Sequence, residues 1–210
     1  PGIYSNSIAA GALTGTALGV ALSNATAVTA DLTVSVQPPS IAKVFAPNPV
    51  SPNVPTTLTF TIVNPNPATS LVAVQFSDTF PTSPGAMVVA PTPAPSTSGC
   101  GSPVFAPAAG AASVSFSGGT IAAGGTCTVS VNVVAPALGS YNNVSSAVLS
   151  SNGGAGNSAS ATLVVPVPPA VAKSFAPASV TVGTASVLTL VVSNPNTTAT
   201  LLGTALADSY

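Results

Sequence analysis

The chain has no His, Arg, Glu or Trp, and its only charged side chains are Lys43, Lys173, Asp31, Asp78 and Asp208. Each absence removes a class of function. With no basic surface to neutralise phosphates, a nucleic-acid partner is excluded. Without His, and with two cysteines 27 positions apart (Cys100 and Cys127), a transition-metal site has no ligand set. Three Asp in separate parts of the chain do not make a calcium site, so no metal or cofactor is expected. A Ser-His-Asp or Cys-His catalytic set cannot be assembled. Turnover catalysis is therefore not expected.

Long apolar runs are also missing. The best membrane candidate, the uncharged stretch 8–28, is mostly Ala interrupted by Gly, Thr, Ser and Asn. It makes a poor transmembrane helix and reads as strands and turns, so no membrane insertion is expected. Pro1 is no initiator and no basic segment precedes an apolar stretch, which suggests a mature or excised piece.

What is present is a 210-residue chain, 46% hydrophobic, with 18 Gly, 22 Pro and a net charge of -1. Such a charge gives almost no colloidal repulsion and favours association. Disorder goes with low hydrophobicity and high net charge, and neither applies. The composition fits a secreted structural protein, one that assembles or carries sugars.

The sequence repeats itself. Residues 38–78 align without gaps to 168–208, at an offset of 130. The shared skeleton is Pro-Pro, Ala-Lys-x-Phe-Ala-Pro, Leu-Thr, Asn-Pro-Asn and a single Asp. A second pair, PGIYSN at the start and LGSYNN at 138–143, shares Gly-x-Tyr-x-Asn. The expected order is the C-terminal part of one repeat (1–37), a complete repeat (38–167) and the N-terminal part of a third (168–210). The Pro-Pro junctions read as short, stiff linkers.

Within the complete unit, residues 58–62, 72–80, 113–116 and 127–133 alternate apolar and polar with period two. Breakers such as 64–67, 117–119 and 152–154 separate them. Seven or so short strands suggest an all-β, immunoglobulin-like Greek-key β-sandwich, repeated in tandem. The Ala-Lys-x-Phe-Ala-Pro start, the Asn-Pro-Asn turn, the Ser-Asp-Thr-Phe-Pro strand end and the Gly-x-Tyr-x-Asn close resemble the tandem Ig-like repeats of large bacterial surface and secreted proteins. They are similar to the domain-of-unknown-function-eleven family and its relatives. The resemblance covers essentially the whole chain and implies an extracellular stalk or fibre.

Strand parity places the scarce polar groups. Lys43 shares a face with Ile41 and Phe45, Asp78 with Phe76 and Phe80, and Asn143 with Tyr141. Lys173, Asp208 and Asn6 repeat the pattern, Asp208 sharing a face with Leu206 and Tyr210. Asn142 falls on the opposite face from Tyr141. A lone buried Lys or Asp is strongly disfavoured, so partners are required. Two arrangements satisfy this. One is a buried Lys–Asp ion pair bridged by Asn. The other is an intramolecular isopeptide bond of the kind found in adhesin and pilin Ig-like domains, Lys condensing with Asn beside an acidic proton shuttle. Lys173 and Asp208 would be completed by an Asn6 from another copy, head to tail, or by neighbouring repeats of a longer chain.

Cys127 shares parity with Val129, Val131 and Val133, and Cys100 lies in a Gly/Ser loop. An even count in a secreted chain favours a disulfide between them. Asn-x-Ser/Thr sequons at Asn24, Asn143 and Asn196 carry little weight, since Asn143 is expected to be buried. The functional expectation is a structural repeat of an extracellular fibre, stalk or filament whose partners are copies of itself or neighbouring repeats. The alternative is an adhesin or ligand-binding surface module, with a carbohydrate or host surface as partner.

Overall fold

The computed structural model describes residues 2–196 and 199–209, and its secondary structure among them is entirely strand, turn and loop. The first segment holds β1 (Gly2–Ile8), β2 (Thr14–Ala17), β3 (Val20–Ser23) and β4 (Val28–Val34). β1 pairs with β4 and β2 with β3, so the stretch 8–28 is strands and turns, as its composition implies.

Eleven strands follow in the central segment. They are β5 (Ser40–Ala46), β6 (Thr56–Val63), β7 (Leu71–Thr79), β8 (Val88–Val89), β9 (Ser96–Ser98), β10 (Ser113–Ile121), β11 (Thr126–Val134), β12 (Gly139–Val144), β13 (Leu149–Ser150), β14 (Gly154–Ala155) and β15 (Ser160–Val165). Four of these are two- or three-residue pieces, too short to leave a period-two signal, so the sequence pattern shows only seven or so. One sheet runs β5-β6-β11-β8, with β9 also on β11. The other runs β10-β7-β13-β14. The β12–β15 ladder closes the side between them: the Val50 amide bonds the Val164 carbonyl, and Ser145 bridges to Asp78.

Alternation does the folding work. β5 reads exposed-buried throughout, with Ile41, Lys43 and Phe45 inward, while Leu58, Phe60 and Ile62 of β6 are fully buried. Fully burying side chains of this size stabilises by about 1.5–3 kcal/mol each. Phe76 stacks on Phe116 at a ring-centroid distance of 5.5 Å and meets Phe60 in a tilted contact at 4.6 Å. The Tyr141 hydroxyl accepts from the Ala137 amide and donates to its carbonyl, satisfying a buried polar tip as tyrosine corners do.

One expected alternation is displaced. Residues 72–80 alternate in sequence as a single period, but Val72 is exposed and the inward run starts at Val74, after Leu71. The register slips where Ala73 takes a φ of +50° and, opposite it, β10 bulges at Gly118–Gly119. A Cβ on Gly119 would stand 2.7 Å from the Phe116 ring, so the bulge requires glycine there.

The last segment holds β16 (Ala170–Ala176) and β17 (Val187–Ser193). Their register, Lys173 opposite Leu190 and Phe175 opposite Leu188, reproduces Lys43 opposite Phe60 and Phe45 opposite Leu58. Likewise Tyr4 opposite Leu32 and Asn6 opposite Ala30 reproduce Tyr141 opposite Leu163 and Asn143 opposite Ala161. Residues 199–209 form no strand, although their counterparts make β7. In the central segment β7 is held between β10 and β13, and among the described residues no strand pairs with 199–209. The expected face of Leu206 and Asp208 is thus not set by a strand there, and Tyr210 lies outside the described residues.

Cys100 and Cys127 are joined in a buried disulfide that ties the turn after β9 to β11. The closed loop spans 27 residues, for which chain entropy gives roughly 3.5 kcal/mol. Replacing both cysteines by Ala is expected to lower unfolding free energy by about that amount in urea titrations. The parent treated with reductant in denaturant should fall to the same value.

Candidate functional site

Lys43 comes from β5, Asp78 from the end of β7 and Asn143 from β12, and the three side chains meet inside the sandwich. Lys43 Nζ lies 3.1 Å from Asp78 Oδ1, with both side chains fully buried. Asn143 Nδ2 donates to Asp78 Oδ2 at 2.8 Å. The carboxylate thus receives the amine on one oxygen and the amide on the other. Lys43 Nζ also stands 5.7 Å from the Phe60 ring centroid, over an electron-rich face. The backbone dictates the meeting: β7 carries Asp78 to the bridge with Ser145, two residues beyond Asn143.

One atom is left over. Asn143 Oδ1 is buried and has no hydrogen-bond partner. Buried acceptors are nearly always satisfied, so an amide carbonyl left bare on a side chain that bonds Asp78 needs a reason.

Burial shifts both ionisable groups in the direction of their neutral forms. Burial pushes the Lys43 amine below its ordinary 10.5, and Asp78 only partly offsets this. Burial likewise pushes the Asp78 carboxyl above its ordinary 3.8, against the charge of Lys43 and the hydrogen bonds from Asn143 and Lys43. Desolvation dominates both. A neutral amine is a nucleophile, and a neutral carboxylic acid can lend a proton.

The other candidates are arranged differently. Lys173 Nζ contacts Asp208 Oδ1 at 2.7 Å and Oδ2 at 2.9 Å, but in an exposed pair. Asn6 lies exposed on β1, opposite Ala30. Asn142 points outward and accepts from Thr162 Oγ1. Asp31, also exposed, accepts from the Ser5 hydroxyl. All three sequon amides are engaged: Asn24 with Ala9, Leu13 and Thr26, Asn196 with Val167 and Asn194, and Asn143 with Asp78.

Sequence reasoning missed Asn64 and Asn66, read only as a turn. Asn64 is buried and donates to the carbonyls of Thr69, Ile121 and Ala122, while Asn66 binds the backbone of Gln37. The available signal was the return of both Asn at 194 and 196.

Fold and cluster together define an all-β sandwich with a polar triad sealed in its core. Residues 39–165 match the family described as a domain of unknown function, DUF7933, and the chain belongs to that family. Membership of the domain-of-unknown-function-eleven family stays a resemblance of motifs. Among solved structures, the chain is similar to BcpA, the major pilin subunit of Bacillus cereus, at 13% identity and a TM-score of 0.45. That match covers 63% of this chain and 41% of the pilin. A single-substitution variant of the same pilin matches at 11% identity and a TM-score of 0.48, over 80% of this chain and 58% of the other. These likenesses carry no argument about function. Comparison with curated proteins gives no match.

Asp78→Asn would leave the Lys43 ammonium without its anion, a change that costs about 3–5 kcal/mol in buried pairs. The sign with pH follows from the lowered lysine value. The contribution of a neutral buried amine is fully present above 10.5, the unfolded value, and is lost as pH falls through the folded one. The melting temperature of Asp78→Asn is therefore expected to be strongly depressed at pH 7 and to climb toward pH 10.

Proposed function

We propose that the chain is a structural repeat of an extracellular bacterial fibre, stalk or filament, locked by cross-links in its core and assembling with like repeats head to tail. The observation that carries this reading is the sealed Lys43–Asp78–Asn143 cluster with its bare amide oxygen. A cluster shut off from solvent offers nothing to a diffusible substrate. What it can act on is itself.

The chemistry balances without a co-reactant. The neutral Lys43 amine attacks Asn143 Cγ while Asp78, in its acid form, donates a proton toward the amide and takes one from the attacking nitrogen. The Cγ–Nδ2 bond breaks, ammonia leaves, and an Nζ–Cγ amide remains. Burial shifts both groups toward these protonation states, and the fixed strands replace a bimolecular encounter. The disulfide supports an oxidising, extracellular setting. Near-absence of charge supports association over free solubility.

The three segments are read as successive repeats, split at residues 37 and 167. The outer two expose residues whose counterparts form the central core: Val171 and Phe175 against Ile41 and Phe45, and Tyr4 and Leu32 against Tyr141 and Leu163. Such faces call for the remaining strands of a sandwich, from neighbouring repeats or another copy. Lys173 and Asp208 would then meet an Asn equivalent to Asn143, the role this reading gives to Asn6.

Intact-mass measurement tests the cross-link. The expected mass is lower than the sequence mass by one ammonia for the central segment and by two hydrogens for the disulfide. Lys43→Ala should keep the hydrogen deficit and lose the ammonia deficit, with a large fall in melting temperature. A parent mass showing only the disulfide would overturn the covalent reading. Electron microscopy of the native material tests the fibre, and isolated monomeric particles would count against it.

A further inference from the structure

The side chains that the triad does not explain are the asparagines of the Asn-Pro-Asn turn, and both copies of that turn hold the same thing. In the central segment the Gln37 amide donates to Asn66 Oδ1 at 2.8 Å, and Asn66 Nδ2 donates back to the Gln37 carbonyl at 2.9 Å. At the next junction the Val167 amide donates to Asn196 Oδ1 at 2.7 Å, and Asn196 Nδ2 donates to the Val167 carbonyl at 2.8 Å. Gln37 and Val167 each stand directly before a Pro-Pro pair, between the last strand of one segment and the first of the next. Only backbone groups are gripped, so Gln and Val serve equally.

Each gripping asparagine is itself oriented. Asn64 Oδ1 accepts from the Asn66 amide at 3.0 Å and from its Nδ2 at 2.8 Å, and Asn194 does the same for Asn196 at 3.0 and 2.8 Å. Asn64 Nδ2 is anchored on the Thr69 carbonyl at 2.9 Å, and Asn194 Nδ2 on that of Ala199 at 2.9 Å. The interposed proline fixes φ and stiffens the turn. The two assemblies agree to 0.1 Å although one is embedded in a sandwich and the other is largely exposed. The clamp is thus a local property of the turn.

We infer that the Asn-Pro-Asn turn is an inter-repeat clamp that makes each joint stiff. Consecutive domains move relative to one another by default, because linkers are flexible. Little here is left free. After β4 ends at Val34, Val36 already packs against the central core and Gln37 is clamped, leaving Ser35. After β15 ends at Val165, only Pro166, with its fixed φ, precedes the clamped Val167. The first joint is also backed from the other side. A Cβ on Gly156 would stand 1.8 Å from the Pro39 carbonyl oxygen, and one on Gly153 would stand 2.7 Å from that of Gln37. The linker runs flush against that loop. The inference does not depend on whether Lys43 bonds to Asn143.

Spin labels on Leu18→Cys and Ala109→Cys, both exposed, report the joint at Gln37 through their distance distribution, alongside amide exchange at Gln37. The parent is expected to give a narrow distribution and a protected amide. Asn66→Ala should broaden the distribution and speed Gln37 exchange by about tenfold or more while β5 and β6 stay protected. A two-residue Gly-Ser insertion after Ser35 should broaden it equally. A folded Asn66→Ala protein whose distribution is as narrow as the parent's overturns the inference. If Asn66→Ala fails to fold, Asn196→Ala decides in the same way. Its clamp lies outside the central sandwich, and it is read with labels on Ala109→Cys and Val182→Cys.

Discussion

Burying an ammonium in an apolar sandwich is unfavourable by several kcal/mol unless an anion meets it. Lys43 sits among Ile41, Phe45 and Phe60, and the central segment is arranged so that Asp78 reaches it. That one requirement fixes a great deal. Asp78 must arrive from the opposite sheet, so β7 has to extend along β10 as far as the pairing of Asp78 with Val114. The free oxygen of Asp78 needs a donor, so the β12–β15 ladder has to close the side of the sandwich and deliver Asn143. A single misplaced strand would leave a buried charge bare, which argues strongly against alternative registers.

The same low-dielectric setting turns a structural contact into latent chemistry. In water an amine, a carboxylate and an amide at these distances are inert. Desolvation moves the amine toward its nucleophilic form and the carboxyl toward its acid form, because both neutral species are the ones the interior tolerates. The bare oxygen of Asn143 is the remaining cost of the arrangement. Forming a Lys43–Asn143 amide bond would remove the buried amine from the problem and leave Asp78 as a carboxyl that can stay neutral.

The outer segments show how far local sequence carries structure without a core. Hairpins β1–β4 and β16–β17 keep the registers of their central counterparts, and the Asn-Pro-Asn clamp keeps its geometry. Cross-strand pairing and a turn are short-range matters. The β7 counterpart, 199–209, forms no strand, because β7 depends on pairing with β10 and β13, which are distant in sequence. Lys173 and Asp208 still find each other, but in solvent, where an ion pair contributes little and changes no chemistry.

Composition, period-two alternation and the 130-residue repeat by themselves determined an all-β chain without His-based catalysis, and parity alone put Lys43, Asp78 and Asn143 on inward faces. Those are properties of one strand at a time, read from neighbours two residues apart. Only the tertiary structure decided that the three side chains touch, which oxygen of Asp78 each one meets, and that Asn143 Oδ1 is left bare. It also decided where the alternation slips at Ala73 and what Asn66 holds. These depend on sheet order, bulges and backbone approach across dozens of residues, and no local periodicity encodes which strand ends up beside which.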